Sequence, residues 1–162
     1  MATIATLSNS GSLVPFRPRN VPLGRAWRRI WLAPSVIVWL ETKVFDAVSS
    51  LGNHRTPYEQ FDDLMEMFCA GSSLQSPRNF RALRPTDQSI WELKTDDIRF
   101  FGFFAEKNEF VILFGDFADR VKDHNLYAGY RNETARIRAS FNLQSYVTGI
   151  SYDEVLSDAN RP

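Results

Sequence analysis

Between Ser89 and Lys122 the chain reads SIWELKTDDIRFFGFFAEKNEFVILFGDFADRVK, a run that parses as three consecutive antiparallel strands. Side chains alternate across a strand, so Trp91 and Leu93 take one face and Glu92 and Lys94 the other. Thr95-Asp96-Asp97 makes a turn. Ile98 to Ala105 is the second strand, with Ile98, Phe100, Gly102 and Phe104 on one face and Arg99, Phe101 and Phe103 on the other. Glu106 to Glu109 forms a polar tip in which Asn108 tolerates the left-handed backbone such turns need. Phe110 to Gly115 is the third strand. Lys94 and Arg99 flank the first turn, which puts both within reach of a single anionic ligand on one sheet face.

The segments around this meander supply its cover. Val36 to Leu40 (VIVWL) is an apolar, β-branched run of strand length. Thr42 then stands where a cap would open a helix carrying Val44, Val48 and Leu51 at i, i+4 and i+7, closed by Gly52. Pro57 starts a second helix with Phe61, Leu64, Met65 and Phe68 as its buried stripe, and Gly71 stops it. These two helices make a hairpin, a natural lid for one face of a small sheet. Phe80 to Arg84 is a short extended segment entering the sheet. Asp116 to Asn125 is a polar loop, and Asn125 to Phe141 a last helix with Leu126, Tyr130, Ile137 and Phe141 on its apolar side. Ser145 to Ile150 has the length of a short strand, and Ser151 to Pro162 frays. The predicted class is therefore α+β, with one helical layer on one twisted antiparallel sheet.

Residues 1–34 read as a partly flexible N-terminal extension, 35–141 as the folded domain and 142–162 as a C-terminal tail. The extension holds Arg17, Arg19, Arg25, Arg28 and Arg29, with no acidic residue before Glu41, which is the composition of a targeting peptide. The apolar run that follows, Ile30 to Leu40, is about half of what a bilayer requires and is interrupted by Pro34. No membrane association is expected. Lys+Arg and Asp+Glu both number 19, and this balance argues against strong non-specific binding to nucleic acid. It leaves room for a local basic patch. Cys69 is the single cysteine, so a reducing cytoplasm is the default compartment. His54 and His124 with that cysteine show no metal-ligand spacing, and neither a metal nor a cofactor is expected.

Taken in order, Gly71-Ser-Ser-Leu74, Pro77, Leu83, Trp91-Glu92-Leu93-Lys94, Ile98-Arg99-Phe100-Phe101 and Leu113-Phe114-Gly115 resemble the HigB-like, phage-derived branch of the RelE toxin superfamily. The likeness spans about Val36 to Phe141. It implies a RelE-like fold: an N-terminal strand and helical hairpin on a small antiparallel sheet, then a C-terminal helix. It also implies the toxin of a type II toxin–antitoxin pair, an mRNA endonuclease acting on the ribosome and restrained by a cognate antitoxin of the helix-turn-helix kind. Cleavage would proceed without metal, by attack of the RNA 2′-OH on the adjacent phosphate. Fixed cations suit that chemistry because charge builds on the phosphorane oxygens.

Carried over by position, the resemblance assigns catalysis to Lys94, Arg99 and Arg120, with His124 and Tyr127 as the nearby groups able to exchange a proton or donate a hydroxyl. Arg81, Arg84, Lys122 and Arg131 would hold RNA. The pattern departs from the branch after Gly115, where Asp116 precedes Phe117 and Ala118-Asp119 stands in place of lysines. A protein of the same fold that has lost catalysis and acts through an antitoxin-like partner is the alternative. Simpler roles exist for the same residues. Glu92 would organise a neighbouring arginine, His124 would end a helix, and the phenylalanines of the second strand would pack a core rather than stack on bases.

Overall fold

The computed structural model describes residues 1–22 and 24–159. Its strands are β1 (Val14–Phe16), β2 (Arg29–Leu32), β3 (Phe80–Ala82), β4 (Trp91–Lys94), β5 (Ile98–Glu106) and β6 (Glu109–Phe117). They form one open, mixed sheet in the order β1-β2-β6-β5-β4-β3. β2 runs parallel to β6, and every other neighbour is antiparallel. The helices are α1 (Ile4–Asn9), α2 (Pro34–Trp39), α3 (Pro57–Cys69), α4 (Ala118–Asp123), α5 (Tyr127–Ser140) and α6 (Tyr152–Val155). None of the described helices is long and apolar enough to cross a membrane.

The class is α+β, as the alternating meander implies. Lys94 lies directly opposite Arg99, and Asn108 sits at φ 68° in the β5–β6 turn. The register slips by one residue between Phe101 and Gly102. Glycine is required at that slip. A Cβ there would come within 1.8 Å of the Val111 carbonyl oxygen, an approach only a residue without a side chain permits.

Helices cover both faces of the sheet rather than one. Every residue from Ile98 to Ala105 is buried, which a sheet with one wet face would not show. On the first face α2, α3 and the segment at Val155-Leu156 close over Phe100, Phe104, Phe110 and Ile112. Leu7 of α1 and Val121 of α4 are buried on the second face with Phe101, Phe103 and Val111, and Tyr127, Tyr130 and Ile137 of α5 pack against them.

Several local expectations change. Val36 to Leu40 is not a strand. It lies in α2 and in the π-helical turn, Leu40–Val44, that continues it. Pro34 occupies a favoured helix-opening position, and Val36, Leu40 and Val44 bury on one side while Val38 is 56% exposed. Burial on a helical period has overridden the β-branched propensity. The strand preceding the helices is β2, whose Ile30 and Leu32 point into the first core. No regular helix runs from Val44 to Leu51, and Val48 and Leu51 are 82% and 69% exposed. Thr42 caps nothing and donates to the Val38 carbonyl instead. α3 starts at Pro57 as expected, with Thr56 and Glu59 forming a reciprocal cap.

Residues 1–34, set apart above as an extension, place α1 on the second face and β1 and β2 in the sheet. Pro15 sits in the edge strand, where its missing N–H is tolerated. The polar loop after Gly115 is instead the end of β6 and α4. Ser145 to Ile150 forms no strand. Beyond it, Tyr152–Val155 is helical, and Val155 and Leu156 are fully buried rather than frayed. The expected fraying of Asn160 to Pro162 lies outside the described residues.

Candidate functional site

Period-two alternation puts Glu92, Lys94, Arg99, Phe101 and Asp116 on the second face of the sheet. Register then arranges them in two rows. Arg81, Glu92 and Phe101 lie side by side on β3, β4 and β5, and Lys94, Arg99 and Asp116 lie beside them on β4, β5 and β6. The result is a polar patch at one end of a sheet otherwise packed with aromatic rings.

Glu92 is the anion at its centre. The side chain is fully buried, with Oε2 accepting from Arg81 Nε at 2.7 Å and Oε1 lying 3.1 Å from Arg99 Nε. The second contact is an ion pair in distance, but its atoms are not aligned as donor and acceptor. Arg99 is 5% exposed and also donates through Nη1 to the Thr95 and Ile98 carbonyls. It therefore braces the turn between β4 and β5. The acidic residues of that turn face elsewhere. Asp97 accepts from Gln60, and Asp96 from Asn53.

Asp116, buried beside Arg99, is the second anion. Tyr130 donates to its Oδ2 at 2.6 Å and Arg120 Nε at 3.0 Å. Tyr130 also stacks flat on Phe101, with centroids 4.6 Å apart, and so pins the first turn of α5 to the sheet. Burial, followed by the Asp116 hydrogen bond and charge, raises the Tyr130 pKa well above its ordinary value.

Lys94 has no carboxylate contact among the described residues and is half-buried. Burial lowers its pKa. Arg99, Arg81 and Lys122 push the same way, and Glu92 opposes them. Those influences place Lys94 within the electrostatic reach of three other cations. Burial alone would also lower Arg81, but the hydrogen bond and charge of Glu92 outweigh it and raise the pKa. The Arg81 guanidinium lies 5.2 Å from the centre of the Tyr127 ring. Arg131 donates to the Arg84 carbonyl, which joins α5 to the segment after β3.

The sequence-derived residues thus divide. Lys94, Arg99, Arg81, Lys122 and Tyr127 converge on the patch. Arg120 reaches its flank through Asp116, and Arg84 and Arg131 meet next to it. His124 ends α4, is exposed and makes no side-chain contact with this group. Asp116 and Tyr130 were missed as site residues. Extending β6 by two positions past Gly115 would have put Asp116 opposite Arg99, whereas Tyr130 offers no signal beyond its place on an apolar helix stripe. The Phe100, Phe101, Phe103 and Phe104 rings are fully buried, as core packing requires. Among the described residues no three His, Cys, Asp or Glu side chains gather as metal ligands do. Chemically, the patch offers half-exposed cations over a buried carboxylate, an arrangement suited to holding an oxyanion. No family model, curated protein or solved structure matches this chain.

Proposed function

We propose that the chain is an endoribonuclease, a RelE-like toxin that cleaves mRNA on the ribosome and is held in check by an antitoxin in the cytoplasm. The observation that carries this reading is the convergence of Lys94, Arg81, Lys122 and Tyr127 around the buried Glu92. Within the chain, the run from β2 through α2, α3 and the β4–β6 meander to α5 supports it as well.

In the proposed reaction the 2′-hydroxyl gives up its proton to solvent water, the 2′-oxygen bonds to phosphorus, the bond to the 5′-oxygen breaks, and that oxygen takes up a proton. The products are a 2′,3′-cyclic phosphate and a 5′-hydroxyl. Lys94 and Lys122 hold the non-bridging oxygens as their charge grows. The depressed Lys94 pKa brings its ammonium closer to the range where it can hand a proton to the leaving oxygen. Tyr127 positions the phosphate from the helix side. Glu92 acts beneath, keeping Arg81 in place, and Arg99 braces the turn that follows Lys94.

Induced expression in bacteria tests the reading. Growth should stop and mRNA ends should accumulate at discrete sites, and Lys94→Ala should lower cleavage by about a hundredfold or more. Harmless expression with intact mRNA on translating ribosomes would sink it. The second reading, a RelE-like binding protein without catalysis, is favoured by one feature: Glu92 and Asp116 engage Arg99 and Arg120, the two arginines that catalysis would otherwise use. In that case the same experiment gives no cleavage while antitoxin-like partners still bind.

A further inference from the structure

β3 is a sheet edge, and a groove of about 660 Å³ lies along it. Its position is unusual in one respect. It is lined from both faces of the sheet, by Phe80, Trp91 and Tyr152 on the first and by Arg81 and Tyr127 toward the second, with Arg84 past the end of the strand. A ligand filling it would therefore straddle the strand edge, where a further strand would lie.

The backbone is arranged for such an addition. Lys94 donates to the Asn79 carbonyl and Leu83 to the Ile90 carbonyl, so with Arg81 opposite Glu92 the odd-numbered residues of β3 carry the ladder to β4. The N–H and C=O of Phe80 and Ala82 then point away from β4, toward the groove. A second, independent observation concerns a side chain. The Trp91 indole N–H is buried, on a residue 3% exposed, and has no acceptor among the described residues. An orphaned buried donor in a groove wall marks a place where an acceptor is missing.

We propose that this groove binds an extended peptide from a partner protein as an added strand on β3, with acidic and apolar residues alternating along it. Alternation follows from the two walls. Side chains of one parity meet the aromatic wall, and those of the other meet Arg81, with Arg84 near the end of the strand. The acidic choice follows from charge, since among the described residues the groove has two arginines and no carboxylate in its lining. The proposal holds whether or not the chain cuts RNA.

The test uses the full chain and a short peptide of alternating glutamate and valine, followed by NMR. Saturable shifts of the Phe80 and Ala82 amides and of the Trp91 indole N–H are expected. Arg84→Glu should weaken binding roughly fivefold. Ala82→Pro removes an outward N–H without touching the ladder to β4, and should weaken it by about fivefold to tenfold. Should that variant fail to fold, the unaltered chain with a peptide N-methylated at alternate residues gives the same information and should show the same loss. The proposal is overturned if the peptide does not saturate, if N-methylation leaves affinity unchanged, or if the shifts gather around Val38 and Phe45. It is equally overturned if single-stranded RNA moves the Phe80 and Ala82 amides and the peptide does not.

Discussion

Lys94 shows how far a single residue can be read. Its face and its partner Arg99 follow from alternation and a three-residue turn, both visible in the chain. Its chemistry does not, because beside Glu92 on the same strand it depends on Arg81 and Lys122, which folding brings from two other segments. The sign of each influence makes a prediction. Glu92 raises the Lys94 pKa against burial, so Glu92→Gln should lower it further. Lys122 lowers it, so Lys122→Ala should raise it. Both are measurable by following the Lys94 Cε resonance through a pH titration, and a shift in the opposite direction in either variant would contradict the arrangement. The linkage to stability has a definite sign too. Because the folded pKa lies below the unfolded one, the fold disfavours the charged amine. That cost is fully present below the folded pKa and is relieved as pH rises through it.

At the scale of elements, the strands bounded by polar turns were legible and one helix was misplaced. β4 announces itself by its alternation, and β5 and β6 by apolar, aromatic runs of strand length on either side of the Glu106 to Glu109 tip. The segment from Val36 to Leu40 is apolar throughout, and such a run fits a buried strand or a helix equally well. Pro34 and the one-sided burial of Val36, Leu40 and Val44 settled it as a helix, but burial is a property of the folded chain. The β5–β6 pair holds the least forgiving element in the molecule. Gly102→Ala would drive a methyl into the Val111 backbone, and neither strand can retreat from between two packed cores. We expect a loss of about 2–4 kcal/mol in urea denaturation. A loss under about 0.5 kcal/mol, the usual range of an inconsequential surface change, would show that the bulge adapts.

For the whole molecule, the feature with the widest reach is Arg28. It is fully buried yet four hydrogen bonds surround it, to the carbonyls of Ser157, Phe68 and Ser72 and to Asp158 Oδ1 at 2.8 Å. Burial lowers its pKa, with Tyr152 and Asp158 acting in the other direction. The guanidinium thus ties the residue before β2 to the end of α3 and to the segment after α6. Arg28→Ala removes all four of these hydrogen bonds, while Asp158 keeps the Tyr152 hydroxyl and the Phe68 carbonyl keeps the Gly71 N–H, and should cost about 3–5 kcal/mol. That is a large part of what a domain of this size possesses. A lowered urea midpoint, together with faster amide exchange at Val155 and Leu156, would confirm the tie. An unchanged midpoint would refute it.

Taken alone, the sequence determined the class of fold, the three-strand meander, the start of α3, the left-handed turn at Asn108 and the face on which Lys94 and Arg99 lie. Each is a local consequence of side-chain period, capping or backbone sterics. The tertiary structure decided that Val14–Phe16 and Arg29–Leu32 join the sheet, that both faces are covered, that Asp116 and Tyr130 complete the polar patch, and that a groove follows the β3 edge. Those features arise from contacts between segments far apart in the chain, and no local pattern encodes which distant groups will be neighbours once the solvent is expelled.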